Sequence, residues 1–100
     1  MATTSKALAR TAAATSSTTL YTVPASTTTV VTNINVTNTA GSAGTFTIAL
    51  NGVALHTTTA VAANSTVYID LKQVLSATQT ITGLASATTI NFHISGVEIA

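Results

Sequence analysis

The stretch TLYTVPASTTTVVTNINVTNT, residues 19–39, decides the fold more clearly than any other part of this sequence. In VVTNINVTN, residues 30–38, apolar and polar side chains alternate with the two-residue period of a half-buried β-strand. Pro24 lies between two such runs, where it fits a turn or a strand edge. The alternation predicts two faces, one with Val30, Thr32, Ile34 and Val36, the other with Val31, Asn33, Asn35 and Thr37.

The same alternation continues toward the C-terminus. TAGSAG, residues 39–44, is typical of a loop, and TFTIAL, residues 45–50, places Phe46, Ile48 and Leu50 inward. Asn51-Gly52 then predicts a two-residue hairpin. Strand signals recur every 8–12 residues, which predicts an all-β, antiparallel β-sandwich. Jelly-roll and immunoglobulin-like connections produce the same local alternation, so the sequence leaves both open.

The C-terminal run TTINFHISGVEIA, residues 88–100, contains an irregularity in phase. Ile90, Phe92 and Ile94 share one parity, whereas Val97 and Ile99 share the other. If both sets face the core, one extra residue must be absorbed between them, which predicts a β-bulge at Ser95-Gly96. The alternative is a strand that ends at Ser95, followed by a separate short element.

The first 18 residues, MATTSKALARTAAATSST, differ from the rest because small residues dominate. They predict a flexible or partner-ordered N-terminal arm at 1–18, with weak helical character over 6–14, ahead of a sandwich domain at 19–100. The segment has no apolar run of the kind found in signal peptides or membrane anchors. We therefore expect a protein that is made and kept in the cytoplasm unless it leaves by lysis.

Charge is sparse, at 5% of residues with a net charge of +1. Three scattered cations cannot supply the clustered basic surface that nucleic acid or an anionic membrane requires, so neither partner is expected. There is no cysteine, which excludes disulfides, thiolate nucleophiles and cysteine-type zinc sites. The charged residues are Lys6, Arg10, Asp70, Lys72 and Glu98.

Catalytic and metal chemistry have little support. Asp70, His56 and His93 could be combined with a serine as a triad, but no run resembles a nucleophile elbow, so no enzymatic activity and no cofactor are expected. The two histidines could ligate a metal, alone or across an oligomer. Because His93 has outward parity, a solvent-facing or interface histidine is the favoured interpretation, and no metal site is predicted.

Threonine replaces charge on the predicted surface. It is β-branched, favours strands and exposes a hydroxyl without the conformational entropy of a long side chain. Interface cores are depleted in charge, and a neutral sheet edge invites association. We therefore expect this domain to function within an assembly.

Four runs together resemble the small virion proteins of tailed bacteriophages, which are described as head decoration (cement) or fibre proteins. The similarity extends from about Leu8 to Ile99, and its most specific pieces are YTVPA at 21–25 and ISGVE at 94–98. The runs are LARTAAATSSTTLYTVPA, VVTNINVTNTAGSAGTFTIALNGVAL, AANSTVYIDLKQVLSATQTITG and INFHISGVEI.

The resemblance implies a non-enzymatic structural protein on the outer surface of the mature capsid. Its partner would be the major capsid protein, and it would form homo-oligomers, commonly trimers. The N-terminal arm, with Lys6 and Arg10, would become ordered on the capsid or on a neighbouring copy. Tyr21, Tyr68 and His93 are further interface candidates, because amphipathic rings are favoured at interfaces. The alternative is a tail, neck or fibre component that binds a host-surface glycan.

Overall fold

The computed structural model describes residues 2–100, and its eight strands follow one another without an intervening helix in that range. The strands are β1 (Thr3–Ala12), β2 (Thr18–Thr22), β3 (Thr28–Asn38), β4 (Gly44–Leu50), β5 (Val53–Val61), β6 (Ser65–Leu75), β7 (Thr80–Ala85) and β8 (Ile90–Ile99). The prediction of an all-β chain is confirmed.

The strands form two four-stranded antiparallel sheets packed as a sandwich. Sheet I contains β1, β8, β3 and β6 in spatial order, and sheet II contains β2, β7, β4 and β5. β1 pairs with β8, β2 with β7, β3 with β6 and β4 with β5, so the chain is arranged like one long hairpin wound across both sheets. This nesting is the topology of an eight-stranded jelly roll. Immunoglobulin-like connections, the other alternative, would give a different strand order.

The core between the sheets is aliphatic apart from two phenylalanines. Phe46 of β4 and Phe92 of β8 meet edge to face, with ring centroids 6.3 Å apart. Gly83 of β7 leaves room for this contact, because a Cβ atom there would approach Phe92 Cε2 to 3.3 Å and Leu20 Cδ1 to 2.9 Å. The other large apolar side chains that are fully buried are Ile34, Ile48, Ile81, Ile90, Ile94, Val23, Val31, Val36 and Val61.

The turn between β4 and β5 confirms the predicted hairpin. Asn51 and Gly52 have φ values of 51° and 77°. Positive φ at both central residues defines the type I′ turn, whose twist matches that of the flanking strands. Asparagine and glycine are the residues that adopt this conformation at least cost.

The expected N-terminal arm is instead the edge strand β1. Residues Thr3–Ala12 pair with β8, and Ala2 and Ala100 exchange backbone hydrogen bonds of 3.0 and 2.8 Å. The predictions of a flexible arm and of helical character are therefore wrong for the described part of residues 1–18; Met1 lies outside it. Composition was misleading because an edge strand is held by backbone hydrogen bonds and needs little apolar burial. Leu8, 8% exposed, is the buried apolar side chain within β1.

The predicted bulge lies at the expected level but in the neighbouring strands. β8 is paired continuously through Ser95 and Gly96, whereas β1 has an extra residue at Leu8 and β3 has one at Thr32. The prediction of a bulge at Ser95-Gly96 is therefore wrong, and so is the alternative prediction of a strand that ends at Ser95. Because β8 keeps its alternation to the end, Val97 and Ile99 lie on the outer side of sheet I.

The extra residue in β3 also changes which side chains enter the core. Val31 is buried together with Ile34 and Val36, while Val30 lies on the outer side. The prediction that Val30 and Thr32 share a face with Ile34 is therefore wrong. Strict alternation fails here because one unpaired residue reverses the face of everything before it.

Candidate functional site

All five charged side chains lie on strands of one sheet. Lys6 and Arg10 lie on β1, Asp70 and Lys72 on β6, and Glu98 on β8. All of these strands belong to sheet I. The four strands of sheet II therefore contain no aspartate, glutamate, lysine or arginine.

The outer face of sheet II consists mainly of threonine and alanine. One row crosses all four strands through Thr19, Thr82, Ala49 and Ala54, which are successive partners in the ladders. The adjacent outward positions are Thr22, Thr80, Leu84, Thr47, Thr45 and Ala60. Apart from Leu84 these side chains are short, and none of them is ionised. This face can be taken out of water without desolvating a charge.

The outer face of sheet I has a different chemistry. Arg10, His93, Asn35 and Tyr68 are successive partners across its four strands, so they form one row. Tyr68 is 77% exposed, more than the other two large hydrophobic residues at the surface, Val53 and Val74. Three of the five predicted interface residues, Arg10, Tyr68 and His93, are thus brought together on one surface.

The other two predicted interface residues lie in a polar cluster at one end of the sandwich. Tyr21 projects inward from β2, and its hydroxyl donates to Glu98 Oε2 at 2.5 Å and lies 2.8 Å from Thr29 Oγ1. Lys6 Nζ lies 3.4 Å from Glu98 Oε1. Since Tyr21 belongs to sheet II and the other three residues to sheet I, the cluster ties the two sheets together. Tyr21 is half-buried and inward, so its placement gives the outward interface hypothesis no support.

The pKa values of two groups in this cluster are shifted. The hydrogen bond from Tyr21 lowers the pKa of Glu98, and the ammonium of Lys6 lowers it further, although desolvation opposes both effects. Desolvation raises the pKa of Tyr21, and the hydrogen bond to the Glu98 carboxylate raises it too. Both shifts favour a neutral phenol beside an ionised carboxylate. Sequence reasoning did not identify Thr29 or Glu98, because their partnership depends on the pairing of distant strands.

The two histidines lie on different sheets and do not form a common site. His56 is half-buried on β5 and packs beside Phe46, with ring centroids 5.8 Å apart. His93 projects outward from β8, as its parity predicted. Among residues 2–100, no group of three or more histidine and acidic side chains is arranged to hold a metal ion.

A groove opens at the edge of the sandwich where β1 of sheet I and β2 of sheet II run beside each other. Its volume is about 300 Å³. The side chains around it are short, apart from Arg10 and Leu20; the others are Ala9, Thr11, Ala12, Ala14, Thr18 and Thr19. No sequence signal indicated this groove, because it depends on the adjacency of two edge strands.

No helix within residues 2–100 combines the length and apolar character needed to cross a bilayer. No protein-family model matches this chain, and a search of curated proteins finds no significant match.

Proposed function

We propose that this chain is a non-enzymatic virion structural protein, a capsid decoration (cement) protein that binds the outside of a mature bacteriophage head and stabilises it. In this proposal the partner is the major capsid protein, the decorating unit is a homotrimer, and the protein acts at the outer capsid surface. The proposal joins the sequence resemblance to the surface chemistry of the jelly roll.

The segregation of charge carries the proposal. A face built from threonine and alanine loses no ionic hydration when a protein partner covers it, and interface cores are depleted in charge for this reason. Sheet II presents such a face through Thr19, Thr82 and Ala49. We therefore assign the outer face of sheet II to contact with capsid subunits or with neighbouring copies.

Stabilisation of the head follows from linkage. A protein that binds the mature shell, and does not bind its dissociated subunits, shifts the equilibrium toward the shell by mass action. Many equivalent contacts on one particle add avidity. Neither effect requires a catalytic group or a cofactor.

The test uses phage shells that lack the protein. Purified protein, with its oligomeric mass measured by light scattering, is added to expanded shells, and stoichiometry and heat resistance are recorded. Saturable binding at a fixed stoichiometry with a raised disruption temperature supports the proposal. Absence of binding to expanded shells overturns it.

Two lysine variants locate the contact. Thr82→Lys places a charge outward on a central strand of sheet II, and Asn35→Lys places one outward on a central strand of sheet I. Burying an unpaired ammonium at an interface is costly, so Thr82→Lys should weaken shell binding by at least about tenfold. Asn35→Lys should bind like the unmodified protein. Equal losses in both variants would remove the assignment to sheet II.

A second candidate function is a tail, neck or fibre component that binds a host-surface glycan. One observation favours it: Tyr68 is an exposed aromatic ring beside Asn35 and in the same row as His93, and aromatic rings with nearby polar groups are common in sugar sites. Binding to a glycan array that Tyr68→Ala abolishes would establish this function. Val74→Ala is the matched control, because Val74 is 63% exposed on the outer side of the same strand.

A further inference from the structure

We propose that the groove between β1 and β2 is a docking site for an extended, acidic polypeptide segment of a partner protein, which would add a strand to the free edge of β1. The inference depends on the geometry of the groove and does not require the partner to be a capsid protein. Three observations support it: the backbone groups at the free edge of β1, the volume of the groove and the positive charge of Arg10.

The backbone groups of the groove can be assigned from the ladders. The Ala13 amide donates to the Ile90 carbonyl at 2.7 Å, so Ala13 faces β8. Because neighbouring residues in a strand direct their backbone groups to opposite sides, Ala12 and Arg10 direct theirs to the free edge of β1. The Ala12 carbonyl also accepts a hydrogen bond from the Thr11 hydroxyl at 3.2 Å, which leaves its second lone pair for an incoming strand. An extended segment could pair with these groups, as in recognition by strand addition.

The second wall of the groove also has a free edge. β2 is the terminal strand of sheet II, with β7 as its neighbour within the sheet. The Val23 amide, one residue after β2, continues this pairing by donating to the carbonyl of Gln79, one residue before β7. Thr19 pairs with Thr82, on the outer side of sheet II. The groove therefore lies between two terminal strands, so a segment that enters it meets backbone groups of β1 that belong to no ladder and, on the side of β2, the residues Thr18, Thr19 and Leu20.

The volume of the groove suits side chains of the incoming segment. About 300 Å³ is at the lower end of the range for ligand pockets, which is roughly 300–1,000 Å³. The space between the sheets stays open here because Ala9 and Thr11, on β1, are too short to fill it. A bulky side chain of the segment would contact Leu20 and Ala9.

Charge complementarity specifies an acidic segment. Arg10 is the charged residue that lines the groove, and its guanidinium forms no ion pair or side-chain hydrogen bond with residues 2–100. The other cation of β1, Lys6, is already paired with Glu98. A glutamate or aspartate in the segment could form a bidentate pair with Arg10.

The test measures fluorescence anisotropy with two short labelled peptides of alternating threonine and valine, one with a central glutamate and one with glutamine there. The glutamate peptide should bind the unmodified protein at least about tenfold more tightly than the glutamine peptide. Arg10→Gln should remove this preference. Lys72→Gln, which removes the same charge from β6 at the opposite edge of sheet I, should preserve it. Absence of binding, or equal losses in both variants, overturns the proposal.

Strand addition is tested separately. Proline is tolerated on an edge strand where its nitrogen faces away from the ladder, so Ala12→Pro should keep the fold. It should lower the affinity for the glutamate peptide at least about tenfold, because it removes a backbone donor from the free edge. If Ala12→Pro does not fold, glutamate peptides N-methylated along one edge or the other give the same information with the unmodified protein. One methylation pattern should abolish binding and the other should not; equal effects overturn strand addition.

A second copy of this chain is the competing occupant of the groove, and light scattering without peptide tests for it. Self-association that Ala12→Pro and Arg10→Gln both abolish would assign the groove to a second copy of this chain and overturn the assignment to a partner protein. None of these measurements uses phage shells, so their failure is distinguishable from failure of the decoration proposal.

Discussion

The hydroxyl of Tyr21 on sheet II donates to the carboxylate of Glu98 on sheet I and also lies 2.8 Å from Thr29 Oγ1. The Thr29 side chain belongs to a residue that is 0% exposed, so its hydroxyl has no access to water. A single phenol thus satisfies a buried hydroxyl and orients a carboxylate across the two sheets.

Tyr21→Phe should lower the free energy of unfolding by about 1–2 kcal/mol, because it leaves the buried Thr29 hydroxyl without its partner. The measurement is urea denaturation followed by circular dichroism. Tyr68→Phe is the control, since Tyr68 is exposed and its loss of a hydroxyl should change stability by less than about 0.5 kcal/mol. Equal effects in the two variants would contradict a structural role for the cluster.

Stability should depend on pH through Glu98. Its folded-state pKa lies below the unfolded value near 4.5, so the ionised form is favoured by folding. The resulting stability is present above pH 4.5 and is lost as the pH falls through the folded-state pKa. The urea concentration at the midpoint of denaturation should therefore decrease as the pH is lowered below 4.5 in the unmodified protein. In Glu98→Gln this decrease should be smaller. A decrease of the same size in Glu98→Gln would contradict the assignment.

At high pH, stability should fall as the pH rises, which is the opposite direction to the effect of Glu98, and the responsible group is Tyr21. Its folded-state pKa is above 10.0, so folding favours the protonated phenol. This contribution is present below pH 10.0 and is lost as the pH rises through the folded-state pKa. Spectrophotometric titration should show a tyrosine that ionises above pH 10.0, and Tyr21→Phe should remove this step. Retention of the step in Tyr21→Phe would contradict its assignment to Tyr21.

Gly96→Ala should be strongly destabilising. An added Cβ atom would lie 2.3 Å from the Val30 carbonyl oxygen, so β3 and β8 would have to move apart. Overpacking against backbone is expected to cost about 3 kcal/mol or more. Gly41→Ala is a matched control because nothing lies within 4 Å of its Cβ position. Urea midpoints that agree between the two variants would show that the strands yield without strain.

The sequence predicted those features that depend on local alternation. Phe46 and Ile48 face the core as expected, and Asn51-Gly52 forms the hairpin, because a two-residue period and a type I′ turn are both properties of short segments. Gly96 was recognised as special, but for a different reason: it avoids a clash with Val30 in the next strand.

The features that sequence reasoning missed depend on which strands become neighbours. Bulges at Leu8 and Thr32 reverse the faces of β1 and β3, and no composition signal distinguishes them from regular strand residues. The cluster at Glu98 joins residues that are far apart in sequence. The choice of a jelly roll over an immunoglobulin-like order is likewise nonlocal.

Leu8→Ala should loosen β1 selectively. Leu8 is the buried apolar side chain of that strand, and its Cδ1 atom packs close to Gly96. Truncating a buried leucine costs about 2–3 kcal/mol at the lower end of the usual range, and here the loss falls on an edge strand attached mainly through its ladder to β8. Hydrogen exchange should therefore accelerate in Thr3–Ala12 more than in β3 or β4, because the edge strand opens without global unfolding. Leu84→Ala, at a half-exposed outward position of β7, should have a smaller effect and leave exchange in β1 unchanged. Uniform acceleration across the chain in Leu8→Ala would show that β1 and the sandwich unfold as one cooperative unit.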